Sequence, residues 1–225
     1  MFSNPYAKAE ALECNPLNRL LYGIAFPFSR AFARLGITPN QITALSCVAA
    51  LLAALSLAVG SSAWLFVVAW TVSLVLDFCD GTVARMTAQV SRTAFRFDHT
   101  SDLVKICVVL IAAASRYDVH ALWVTCSAAV AVFMLYNGLN HELKVARTRA
   151  ADARGSSGRE AGARPATVLR TLYATFGTLN GHTLLFFLFL AAGETWALLV
   201  CAHLAVLSAL GAMRRIRLLM ALPKV

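Results

Sequence analysis

The sequence predicts an all-α integral membrane protein, with six transmembrane helices preceded by an N-terminal amphipathic helix at the membrane interface. Three observations carry this expectation. Of the 225 residues, 59% are apolar and only 14% are charged, too few charges to cover a water-soluble domain of this size. The apolar residues fall into blocks of roughly 20, the length a helix needs to cross about 30 Å of hydrocarbon. The Lys and Arg residues collect in alternate connections between those blocks, as they do when cytoplasmic loops retain positive charge.

The elements follow in order. Asn15-Pro16 is a helix start, and Leu17, Leu20, Leu21, Ile24 and Phe28 then recur at helical spacing. Pro27 is expected to kink or end that helix. Beyond it Phe28, Phe32 and Leu35 oppose Arg30 and Arg34, the pattern of a helix lying in an anionic membrane surface, although a first turn of core helix has the same spacing. Gly36 stops the helix. Thr38-Pro39-Asn40-Gln41 starts the next with an N-cap threonine, a proline at the first helical position and a capping-box glutamine. The first span runs from Gln41 to Gly60; the others cover Ala63 to Asp80, Asp98 to Ala114, His120 to Leu139, Leu169 to Ala192 and Thr195 to Met213. The chain reads as one domain: an interfacial segment (1–36), a six-helix bundle (37–213) and a basic cytoplasmic tail (214–225).

Charge sets the orientation. Arg30 and Arg34, then Arg85, Arg92 and Arg96, then Lys144, Arg147, Arg149, Arg154, Arg159 and Arg164, and finally Arg214, Arg215 and Arg217 all fall on one side; the opposite connections carry only Arg116, Asp118 and Glu194. Both termini are therefore expected in the cytoplasm. The net charge of +9 is topological, without the basic face and interleaved aromatics of a nucleic-acid site. Residues 1–13 lack the apolar stretch and cleavage site of a secretory signal, so the first span is expected to direct insertion. The six cysteines form no C-x-x-C pair and read as small packing residues. The Gly-, Ala-, Ser- and Arg-rich stretch from Ala150 to Ala166 has no apolar stripe and reads as a mobile loop.

The chemistry concentrates in Asp77-Phe78-Cys79-Asp80-Gly81-Thr82-Val83-Ala84-Arg85, followed by Ser91, Ala94, Asp98 and Asp102. Asp77 and Asp80 are three apart at the end of one apolar helix, and Asp98 and Asp102 are four apart at the start of the next, so each pair shares a helical face. Four carboxylates at membrane depth repel one another and need cations. Hard oxygen ligands suit Mg²⁺, Mn²⁺ or Ca²⁺, with substrate phosphate completing the shell. Gly81 opens the helix surface to a ligand, and Arg85, one turn on, presents a fork of donors suited to a diphosphate.

These residues resemble the signature of the CDP-alcohol phosphotransferase (CDP-alcohol phosphatidyltransferase) family: Asp, two residues, Asp-Gly, two residues, Ala-Arg, eight residues, Gly, three residues, Asp, three residues, Asp. Every position fits except Ala94, which stands where the family has glycine and puts in doubt the packing or substrate approach near Asp98. The Thr38-to-Thr43 approach to the first span is also similar, while the second half of the chain matches only in hydropathy.

The resemblance implies an enzyme of phospholipid biosynthesis that transfers a substituted phosphate from a CDP-linked donor, CDP-diacylglycerol first, to an alcohol acceptor and releases CMP. It implies that Asp77, Asp80, Asp98 and Asp102 hold two Mg²⁺ or Mn²⁺ ions, that Asp102 is also the general base, and that Asn40, Gln41, Ile42, Thr43, Gly81, Arg85 and Ser91 contact the CDP part of the donor. It further implies a homodimer in a bacterial cytoplasmic membrane with the active site facing the cytoplasm.

Other polar residues have bland and functional readings. Lys105 could hold an acceptor phosphate or snorkel to water. Asn137, Asn140, His141 and Lys144 could line an acceptor pocket or be solvated helix-end residues. Asn180 and His182 read as inter-helix hydrogen-bonding groups, His99 as an orienting group or a bland one, and Cys79 as packing. The competing functions are transfer from a soluble CDP-alcohol to a lipid acceptor, an intramembrane prenyltransferase, and a cation- or proton-coupled transporter.

Overall fold

The computed structural model describes residues 16–89, 92–153 and 185–221, and within those residues the chain is helical with no strand. The elements are α1 (Pro16–Arg34), α2 (Pro39–Ala58), α3 (Ala63–Met86), α4 (Arg92–Tyr117), α5 (His120–Ala153), a 3-10 turn (Phe187–Ala191) and α6 (Glu194–Met220). Among the described residues, four stretches are long and apolar enough to cross a membrane: α2, α3, residues His120–Thr148 of α5, and α6. This is a membrane protein built from apolar helices. Helix α4 falls outside that set because Asp98, Asp102, Lys105 and Arg116 lie along it. Most of the fifth expected span, with Asn180 and His182, lies outside the described residues; its end, expected as helix through Ala192, is the 3-10 turn.

Helix α1 continues through Pro27 to Arg34 rather than ending there. Leu21, Ala25 and Ser29, on either side of the proline in sequence, are buried, while Leu20, Ile24 and Phe28 are exposed. Gly36 ends α1 at φ +70°, a left-handed conformation that glycine takes without strain. The Thr38 capping box forms as expected: Gln41 N–H donates to Thr38 Oγ1 (3.4 Å) and Thr38 N–H donates to Gln41 Oε1 (2.9 Å).

The core sits among α2, α3, α4, α5 and α6. From α2 it takes Leu57 and the small residues Ala50, Ala53 and Ala54, which let the backbones approach closely, and Trp70, Leu110, Leu122 and Leu204 fill it from the other helices. Helices α2 and α3 are further joined by two crossed serine bonds. Ser46 Oγ donates to Ser73 O and Ser73 Oγ donates to Ser46 O, each at 2.9 Å. At the opposite end of the bundle from Asp77 and Asp80, Trp64, Trp123 and Trp196 open α3, α5 and α6 and are all exposed, the placement of an aromatic belt.

Helices α5 and α6 outrun their apolar stretches. Helix α5 continues to Ala153, so the start of the expected Ala150-to-Ala166 loop is helical, and α6 carries Arg214, Arg215 and Arg217 on its last turns rather than on a tail. The two helices are locked by Arg215: its Nε donates to Asn140 Oδ1 (3.1 Å), its Nη2 to Tyr136 Oη (2.9 Å), and its Cζ lies 4.1 Å from the Tyr136 ring centre. The ring fits because Gly211 has no side chain; an added Cβ would lie 2.5 and 2.6 Å from two Tyr136 ring carbons. Alanine normally favours a helix over glycine by about 1 kcal/mol, but overpacking costs about 1–3 kcal/mol, and a ring held by Arg215 yields little. Gly211→Ala is therefore expected to lower the thermal unfolding midpoint in detergent, and an unchanged or raised midpoint would refute this packing.

Candidate functional site

Helix α3 extends six residues past its expected end at Asp80, so Asp77, Asp80, Gly81 and Arg85 are carried on one rigid helix. Helix α4 carries Asp98, Asp102 and Lys105. The two helices bring Asp77, Asp98 and Asp102 together, with one carboxylate oxygen from each lying within 4.8 Å of the others. That spacing fits a small hard cation: ligands at 2.0–2.1 Å around Mg²⁺ put opposite oxygens about 4.2 Å apart, so a slight inward movement closes the shell.

Asp80 stands one turn along α3, outside that triplet. It is 5% exposed, and Thr43 Oγ1 lies 2.7 Å from its Oδ2 and 3.1 Å from Pro39 O. One hydroxyl has one proton, and the shorter, charge-assisted bond to the carboxylate takes it. Thr43 is placed for this by the capping box a turn earlier. The rest of the expected Asn40-to-Thr43 donor segment divides. Asn40 is exposed, Gln41 is engaged in the cap, and Ile42 is fully buried against Ala25, Cys79 and Val83, with its N–H bonded to Thr38 O at 3.2 Å. Cys79 is packing, as expected, its Sγ 3.4 Å from Ala25 O.

Arg85 lies back over its own helix. A Cβ built on Gly81 would meet Arg85 Nη1 at 3.3 Å and Nη2 at 3.7 Å, so the absent side chain is what lets the guanidinium lie there. On its other side is Tyr22 of α1, with Arg85 Cζ 5.9 Å from the ring centre, and the ring makes an edge contact with Phe78 at 4.9 Å. Burial pushes the Tyr22 phenol above its ordinary range, against the pull of the Arg85 charge beside it. Sequence reasoning missed Tyr22; a polar ring on the core side of an otherwise apolar stripe was its only signal.

Lys105 neither snorkels nor stands free for an acceptor. Its ammonium lies 2.5 Å from Asp77 Oδ1, 2.7 Å from Asp102 Oδ1 and 3.2 Å from Ser46 Oγ, and the residue is 6% exposed. Its position three residues after Asp102 was the legible half of this; the bond to Asp77 was not. The proposed acceptor group also divides: Asn137 Nδ2 donates within its own helix to Phe133 O (2.8 Å), Asn140 is bound by Arg215, and His141 and Lys144 are exposed. His99 is partly exposed on α4. Ser91 lies outside the described residues, as does the side chain of Ala94.

The site thus offers clustered hard oxygens, with a guanidinium lying over Gly81 on the helix that carries Asp77 and Asp80. In comparison with known proteins, the family model described as CDP-alcohol phosphatidyltransferase matches residues 36–208, well over half of the chain and including every residue of this cluster except Tyr22. No curated protein matches it.

Proposed function

Because the chain belongs to the CDP-alcohol phosphatidyltransferase family, we propose that it transfers a substituted phosphate from CDP-diacylglycerol to an alcohol acceptor and releases CMP. The observation that carries this reading is the convergence of Asp77, Asp98 and Asp102, with Arg85 farther along the helix that carries Asp77. Asp77, Asp80, Asp98 and Asp102 would hold two Mg²⁺ or Mn²⁺ ions, which neutralise phosphate charge and draw electron density from phosphorus when bound. Family membership also supports a homodimer in a bacterial cytoplasmic membrane, and the basic residues flanking the site support its facing the cytoplasm.

In this reading Arg85 binds the donor diphosphate through two parallel N–H donors, and Gly81 leaves room for it. The segment from Asn40 to Thr43, together with Ser91, contacts the CDP moiety. Asp102 accepts the proton of the acceptor hydroxyl, whose oxygen bonds to the phosphorus next to the lipid group as the bond from that phosphorus to the CMP oxygen breaks. Thr43 keeps the Asp80 carboxylate turned and solvated in a buried position. A transporter reading finds less support: carboxylates at one end of the spans beside a diphosphate-shaped arginine suit phosphoryl transfer better than a midplane ion site.

The test is CMP release by purified protein in detergent with Mg²⁺ or Mn²⁺, CDP-diacylglycerol and a panel of alcohols. Metal-dependent release with one acceptor is expected. Release only with a soluble CDP-alcohol and a lipid acceptor would reassign the donor, and no release with either would remove the transferase reading.

Tyr22 enters as a support for Arg85. Tyr22→Leu is expected to raise the KM for the donor about tenfold, the loss of a partly desolvated cation–π contact, with the acceptor KM unchanged. Tyr22→Phe, which keeps the ring but loses the phenol bonded to Arg85, should fall between wild type and Tyr22→Leu. Equal donor KM values in wild type and Tyr22→Leu would refute the assignment.

A further inference from the structure

We propose that Lys105 is a resident counter-cation that competes with divalent metal for Asp77 and Asp102 and thereby sets the metal affinity of the site. The inference rests on the metal-binding role given to these aspartates above. Its own evidence is the lysine's geometry. An ammonium has three N–H donors, and here each has an acceptor: Asp77 Oδ1, Asp102 Oδ1 and Ser46 Oγ. Two of those acceptors belong to the carboxylates whose oxygens, with one from Asp98, lie within 4.8 Å of one another.

A cation coordinated through the Oδ1 atoms of both carboxylates would take the position that the ammonium now holds. The two cannot share that position, and a single positive charge beside a doubly charged ion in a poorly solvated site is strongly repelled. Metal loading therefore requires the ammonium to withdraw, which its flexible four-carbon stem allows and an arginine fork would hinder. The arrangement solves a folding problem as well. Clustered carboxylates in a membrane helix bundle are costly without a cation, and a lysine built into α4 supplies one before any ion arrives. Ser46 anchors the third donor, so the ammonium is held at the carboxylates rather than drifting toward water.

The experiment is Mn²⁺ binding to detergent-purified protein without substrates, read by the electron paramagnetic resonance of free Mn²⁺ in competition with EDTA. Lys105→Met, prepared with Mn²⁺ present throughout so that it folds, is expected to bind Mn²⁺ about tenfold tighter than wild type or more, because the competing charge is gone. Lys105→Arg, which keeps the charge, should not bind tighter than wild type. In EDTA the unfolding midpoint of Lys105→Met should fall below that of wild type, and saturating Mn²⁺ should close the gap. A lysine with a purely structural role predicts the opposite sign, weaker metal binding on its removal. Mn²⁺ affinity in Lys105→Met equal to or below wild type would overturn the proposal, as would an Arg variant that tightens like the Met variant. Wild type that binds Mn²⁺, with the expected tightening in Lys105→Met, but releases no CMP would overturn the transferase reading while supporting this one. Wild type that binds no Mn²⁺ would overturn both.

Discussion

Asp102→Asn is expected to lower metal-dependent CMP release by about 10³-fold, the usual contribution of a positioned general base, while leaving the protein folded. The amide keeps the shape of the carboxylate and one oxygen that can still accept from Lys105, whose ammonium lies 2.7 Å away, so the helix packing has little reason to change. It lacks the basicity to take the hydroxyl proton. A variant that unfolds would report only the structural half of the residue's role, and the melting curve must therefore accompany the rate. Full activity in a folded Asp102→Asn protein would transfer the base to another carboxylate. Asp77, also bonded to Lys105, would be the next to substitute.

Arg85→Lys is expected to reduce kcat/KM for the donor by roughly 10- to 100-fold, the equivalent of losing one charge-assisted hydrogen bond of a bidentate pair. Charge alone is kept. What is lost is the planar fork that lies over Gly81 and against the Tyr22 ring, neither of which gives an ammonium a comparable seat. Steady-state kinetics with varied donor would show it, and a lysine variant indistinguishable from wild type would mean that the residue acts only as a point charge.

How much of this was legible in the sequence follows from the range of each interaction. The four aspartates were readable because their spacing, three on α3 and four on α4, is a local property of a helix, and so was the Thr38–Gln41 cap. Of the expected spans, those at α2, α3, α5 and α6 were readable for the same reason, whereas charges interrupt α4 and the helices of α5 and α6 continue past their hydrophobic stretches. Pro27 does not end α1, in which Leu21, Ala25 and Ser29 are buried on either side of it in sequence. The contacts that shape the site were not readable. Lys105 meets Asp77 across 28 positions, Thr43 meets Asp80 across 37, and Tyr22 reaches Arg85 from a helix that precedes the first span. Pairings between helices leave no periodic trace in a single chain.

The crossed bonds between Ser46 and Ser73 bear on how the protein can move. Each such bond in a membrane contributes only about 0.6 kcal/mol, so their worth is kinematic rather than energetic. Two reciprocal bonds at one crossing are both lost if either helix advances by a single residue or turns about its axis, so together they mark one register of α2 against α3. Since Thr43 and Asp80 lie on those same two helices, the register that the two serines favour also favours the alignment of the hydroxyl with the carboxylate.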